Sequence, residues 1–194
     1  KWFELAKKRK PQKRSGGAAS QPTSSSSIGL TQVPGGKAWA LVHPRAARDR
    51  AEDLEEVRAM IEGGEHEVAA DELRWLLSGC TDCIEAHLLL GDLALEMNND
   101  IPLARGHYGY AYQLGLKAWN LAGNPTPVPY SQPANRWFLE AARGLAWCLE
   151  KLGKPDMANE VVATLLKLDP ADPLEVRKLI DSLRTGGLPI VDLG

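Results

Sequence analysis

Between Arg48 and Leu183 the apolar residues recur every three or four positions, the spacing of helices that bury one stripe and wet the rest. Segment 48–64, RDRAEDLEEVRAMIEGG, carries Ala51, Leu54, Val57, Met60 and Ile61 in that register and stops at Gly63 and Gly64. The next, 65–79, places Val68, Ala69, Leu73, Leu76 and Leu77 and ends at Gly79. A second pair, 84–98 and 101–119, divides at Asn98-Asn99-Asp100. A third, 135–154 and 155–169, divides at Gly153, with Pro155 suited to a first helical turn. The last segment, DPLEVRKLIDSLRTGG at 172–187, offers Asp172 as cap, Pro173 for the first turn, Glu175 at the capping-box position and Gly186 as stop. The pattern predicts an all-α fold of seven helices joined by short turns.

Upstream the period is lost. Residues 15–36, SGGAASQPTSSSSIGLTQVPGG, hold too few large apolar side chains to offset chain entropy, which predicts a flexible linker. KAWALVHP at 37–44 regains an apolar cluster, expected to dock on the helices through Trp39 and Leu41. The chain therefore divides into an arm at 1–14, a linker with a docking segment at 15–43, a helical domain at 44–186 and a tail at 187–194.

The helix pairs also repeat at a period near 34 residues. In 139–172 the small or apolar positions are Ala142, Leu145, Ala146, Leu149, Ala158, Val162 and Leu165, with Pro170 in the closing turn. The same frame fits 84–118, with His87, Leu90, Gly91 and Ala94 on the first helix and Ala104, Tyr108 and Ala111 on the second. In 50–83 it places Asp53, Glu56, Val57 and Met60, then Ala69, Leu73 and Leu76; Glu56 departs from the pattern, which wants Leu there. This arrangement resembles the tetratricopeptide repeat (TPR). The resemblance implies a right-handed α-solenoid of about three TPR-like helix pairs with a C-terminal capping helix at 173–185. Small residues let paired helices approach, and stacked units bury faces that one pair alone cannot.

Proteins of that family mostly bind other proteins, so the resemblance implies a non-enzymatic adaptor that takes a peptide segment in its concave groove. Carried over by position, the groove-lining residues are Leu54, Arg58 and Ile61, then Leu88, Asp92 and Leu95, then Arg143, Trp147 and Glu150. Apolar anchors alternate there with opposite charges, as a peptide groove requires. Asp92 stands where a carboxylate clamp would carry Asn, so that specialised function is not expected. Between the second and third units lies a Pro-spaced insert, 120–135, with Pro125, Pro127, Pro129 and Pro133, which cannot be helical. Two outcomes stay open: a long solvent loop, or a loop folded toward the groove so that Tyr130 shapes or occupies the ligand site.

Charge changes the picture at one end. Residues 1–14, KWFELAKKRKPQKR, hold seven Lys/Arg against Glu4, while the remainder holds 16 Lys/Arg against 24 Asp/Glu. A basic arm precedes an acidic body. It reads either as an exposed solubilising end or as an electrostatic tether to nucleic acid or anionic membrane, the latter helped by Trp2, Phe3 and Leu5. Three cysteines form no disulfide framework and suit a reducing compartment, the cytoplasm; the first residue is Lys1, so an upstream signal or anchor stays open.

The most chemical stretch is Cys80-Thr81-Asp82-Cys83, with His87 beyond it. A CxxC turn can face one metal ion, but structural zinc wants four ligands and no second CxxC or paired-histidine motif exists. In the repeat frame this is the turn closing the first unit, so a structural turn with partly buried thiols is expected, with a metal staple or redox role as the alternative. His66-Glu67 fails as a zinc-protease motif at Ala70, and PGGKAW at 34–39 fails as a phosphate loop at Thr31 and Ala38. No catalytic residue and no cofactor is expected.

Overall fold

The structure of the protein, a computed structural model, describes residues 27–185. Its helices begin and end largely where the glycines and capping residues direct. Pro44 precedes a single turn, α1 (Arg45–Arg48). Helices α2 (Ala51–Glu62) and α3 (His66–Gly79) are joined through Gly64, whose φ of 79° is the left-handed geometry that glycine adopts without strain. Helix α4 (Ile84–Asn98) turns into α5 (Ile101–Leu121) over Asn99, and the Asp100 carboxylate accepts from the Leu103 N–H at 3.0 Å. Helices α6 (Arg136–Lys151) and α7 (Pro155–Leu168) meet over Gly153, with Pro155 in the first turn as its fixed φ favours. The final helix, α8 (Val176–Arg184), starts at Val176 rather than at Pro173. Asp172 and Glu175 both take positive φ, at 51° and 49°, so the chain bends once more first. Asp172 keeps its capping role, accepting from the Val176 N–H at 2.8 Å.

One expectation is overturned. The part of the predicted linker within the described residues is a β-hairpin packed on the helices. Strands β1 (Gly29–Gln32) and β2 (Trp39–Val42) pair antiparallel, with Gly29 opposite Val42 and Gln32 opposite Trp39. The Pro34-Gly35-Gly36 stretch that failed as a phosphate loop is the hairpin turn, closed by Val33 N–H to Ala38 O at 2.8 Å, with Gly35 at a φ of 75°. Four-residue strands give too short an alternation to stand out beside a Ser/Gly tract. The docking expected of 37–44 is present: Leu41 is buried and Trp39 packs against the core.

The Pro-rich insert is no free solvent loop. Val128 is buried and its N–H donates to Leu168 O at 2.8 Å, while Trp39 N–H donates to Pro127 O at 2.8 Å. Asn135, fully buried in the 3-10 turn Pro133–Asn135, joins loop and hairpin. Its Oδ1 accepts from the Leu41 N–H at 2.9 Å, and its Nδ2 donates to the carbonyls of Trp39 and Pro129 at 2.9 and 3.0 Å.

Two apolar clusters make the core. One gathers Leu54 and Val57 of α2, Leu73 and Leu76 of α3, and Leu90 and Leu93 of α4, with Cys80 and Cys83 in the seam. The other runs through α4 to α8, with Phe138, Leu139, Leu149, Leu165, Leu168, Val176 and Ile180. Burying each such side chain stabilises the fold by about 1.5–3 kcal/mol. Around Tyr108 close approach depends on two glycines: a Cβ at Gly91 would lie 2.4 Å from its ring, and one at Gly144 2.9 Å from it. The ring of Tyr108 on α5 thus fills space that α4 and α6 leave bare.

Candidate functional site

Successive turns of α4 and α6 line two neighbouring cavities. The first, about 280 Å³, is mostly apolar, walled by Ala47, Leu54, Ile84 and Trp137, with His43 and Glu85 at its polar points. The hairpin and insert place His43, whose Nε2 donates to Ala134 O at 2.8 Å and whose ring meets Trp137 edge-on with centroids 5.3 Å apart. Burial holds the His43 imidazole below its ordinary range and so favours the neutral form. Glu85, in the first turn of α4, is only 4% exposed. The Arg58 guanidinium of α2 lies against its carboxylate and also reaches Glu55 at 2.6 Å. A buried carboxylate needs such a partner, so this pair fixes α2 against α4.

One helical turn further along α4 and α6, the second cavity of about 320 Å³ is lined by Leu88, Asp92, Tyr108, Glu140, Arg143 and Leu174. Two carboxylates face it, each held by a tyrosine. The Tyr108 hydroxyl donates to Asp92 Oδ1 at 2.6 Å, and the Tyr130 hydroxyl of the insert donates to Glu140. Asp92 keeps an edge open to solvent, yet its protein surroundings raise its carboxyl above the ordinary range. Desolvation is the main cause, with the nearby Glu140 and Glu96 charges adding to it and the Tyr108 bond opposing it. Arg143 Nε donates to Leu174 O at 3.2 Å, which ties α6 to the approach of α8.

The structure therefore brings Leu88, Asp92 and Arg143 together and puts Leu54 in the neighbouring cavity, with the Arg58 pair beside it. Ile61 and Leu95 pack half-buried against the core. Trp147 is half-buried on α6, with the Lys151 ammonium 5.6 Å from its ring centroid. Glu150 is occupied by Arg184 of α8 and is not free for a ligand. Periodicity missed Glu85, Trp137, Glu140 and His43; the first three sit in the opening turns of α4 and α6, one position off the apolar stripe. A broader depression of about 510 Å³ lies between α5 and α7, where Gly106 and Gly109 carry no side chain.

The cysteine turn stands apart from both cavities in chemistry, although Cys83 reaches the wall of the first. Cys80 and Cys83 are buried free thiols flanking the α3–α4 turn, and burial raises both, which disfavours thiolate. His87 reaches Thr81 O with Nε2 at 3.1 Å and lies against the Tyr110 ring, centroids 4.6 Å apart. Among the described residues no group of three or more His, Cys, Asp or Glu is placed to hold a metal ion. Among them, too, no helix is long and apolar enough to cross a membrane. The tether expected of 1–14 lies outside the described residues.

Comparison of the chain with protein-family models, with curated proteins and with solved structures gives no match in any of the three.

Proposed function

We propose that residues 44–185 form a short right-handed solenoid of three tetratricopeptide-like helix pairs closed by α8, and that the protein is a non-enzymatic adaptor binding a peptide segment along α2, α4 and α6. The observation that carries this reading is the pair of cavities on successive turns of α4 and α6, one apolar and one lined by Asp92, Glu140 and Arg143. An extended peptide advances about 3.3 Å per residue, so neighbouring cavities one helical turn apart, about 5.4 Å, suit alternate side chains of one segment. Support for the repeat comes from the glycine-backed Tyr108 and from α4, α6 and α8 touching in succession, as the first helices of stacked pairs do. Tyr130 supports the second outcome read for the insert, since it reaches Glu140 at the cavity wall. Three buried thiols fit a reducing compartment, and we place the protein in the cytoplasm on that basis.

Selection of a random peptide library on the full chain tests the proposal. Enriched peptides should lose affinity by about tenfold, or about 1.4 kcal/mol, when Arg143→Ala is combined with Asp92→Asn. Asn keeps an acceptor for Tyr108, so the helical signal should not change. Enrichment of peptides indifferent to both substitutions would remove the groove from the account.

A further inference from the structure

The chemistry of the groove matches that of a segment of its own chain. Strand β1 runs away from its open end, where Gly29 pairs with Val42, and the next residue, His43, lines the apolar cavity. The chain therefore enters the described residues beside that cavity, with Ile28 buried in the core. Residues 1–14 lie outside the described residues. Trp2, Phe3 and Leu5 stand ahead of Lys7, Lys8, Arg9 and Lys10. The groove offers the same order of chemistry, an apolar cavity followed by one holding Asp92 and Glu140. Residues 15–26 span up to about 40 Å when extended, ample for a segment anchored at the cavity rim.

We propose that this groove is the docking site of the chain's own N-terminal segment, with its aromatic residues in the apolar cavity and its basic run against Asp92 and Glu140. The proposal rests on the groove being a peptide site. The arm carries seven cations against Glu4, while the remainder carries 24 carboxylates against 16 cations, so attraction steers the arm onto the body. Among the described residues neither carboxylate forms an ion pair, although Arg143 lines the same cavity: each accepts from a tyrosine, and Asp92 is raised in part by Glu140. An ammonium or guanidinium placed between them relieves that repulsion. Tethering turns docking into an intramolecular event at high effective concentration, so modest contacts suffice. The consequence is self-occlusion: an external peptide must displace the arm.

The test is photocrosslinking in the full chain with p-benzoylphenylalanine at position 3. Intramolecular crosslinks should map to α2, α4 and α6 around the two cavities. Their yield should fall several-fold in the Asp92→Asn/Glu140→Gln variant, and also at about 1 M salt, where the screening length is about 3 Å. Charge reversal of Lys7, Lys8, Arg9 and Lys10 to Glu alters no residue of the described fold. It should lower the yield equally and let library-selected peptides bind several-fold more tightly. Crosslinks on α3 or α7, or only between molecules, would overturn the proposal, as would unchanged peptide affinity in the charge-reversed arm. Should selected peptides still require Arg143 and Asp92 while the crosslinks fall elsewhere, the arm is excluded and the groove reading stands; should no groove-dependent peptide emerge even from the chain with the charge-reversed arm, that reading fails by itself.

Discussion

Tyr108 reaches from α5 between Gly91 of α4 and Gly144 of α6, and its hydroxyl ends on Asp92 at the cavity wall. A methyl group at Gly91 would lie 2.4 Å from the ring, with Gly144 of α6 close on its other side, so ring or helix must shift. Overpacking of this kind costs about 1–3 kcal/mol, against about 1 kcal/mol regained from the better helix propensity of Ala. Gly91→Ala should therefore lower stability by up to about 2 kcal/mol in urea unfolding, and a raised midpoint would mean that the ring moves freely. Three half-buried histidines give a pH dependence of known sign. Burial lowers His43, His87 and His107 in the folded chain, while unfolded imidazole takes its proton near pH 6.5, about its ordinary value. The unfolded state then binds more protons, so this stability is fully present above about pH 6.5 and is lost as pH falls through the lowered folded values. Urea midpoints should drop between about pH 7.5 and 5.5, and His87→Gln should flatten part of that slope.

The hairpin, the insert and the start of α6 are held as one unit by Asn135, whose side chain makes three buried hydrogen bonds to backbone groups. Asn135→Ala orphans the Leu41 N–H and two carbonyls at a cost of about 1–3 kcal/mol or more, since each unmade buried bond carries its own penalty. Amide exchange at residues 39–42 should accelerate before that of the helices. Such a residue is hard to read in a sequence: one Asn after four spaced prolines looks like loop chemistry, and only the tertiary pairing with β2 gives it a role. The helices were legible because Gly64, Asn99-Asp100, Gly153 and Pro155 punctuate a clear period. The start of α8 was not, because Asp172 and Glu175 adopt positive φ where the local signal favoured a cap at once. At the α3–α4 seam, Leu73, Leu76, Leu90 and Leu93 surround the two thiols. The unfolding midpoint should accordingly be unmoved by a chelator; a fall on chelation would assign Cys80 and Cys83 to a metal.

Across the whole molecule, the residues named from the repeat frame divide by what claims them. Leu54, Leu88, Asp92 and Arg143 line the cavities, whereas Arg58 is engaged by Glu85 and Glu150 by Arg184. A positional pattern ranks side chains by the face they leave from and is blind to partners arriving from distant elements, here α4 for Arg58 and α8 for Glu150. The central proposal is that a peptide lies along α2, α4 and α6 and not in the depression between α5 and α7. Hydrogen–deuterium exchange of the full chain, with and without a library-selected peptide, separates the two surfaces. The account predicts slowed exchange in 51–62, 84–95 and 136–147 with little change in α7; slowed exchange centred on α5 and α7, leaving α2 and α4 untouched, would contradict it.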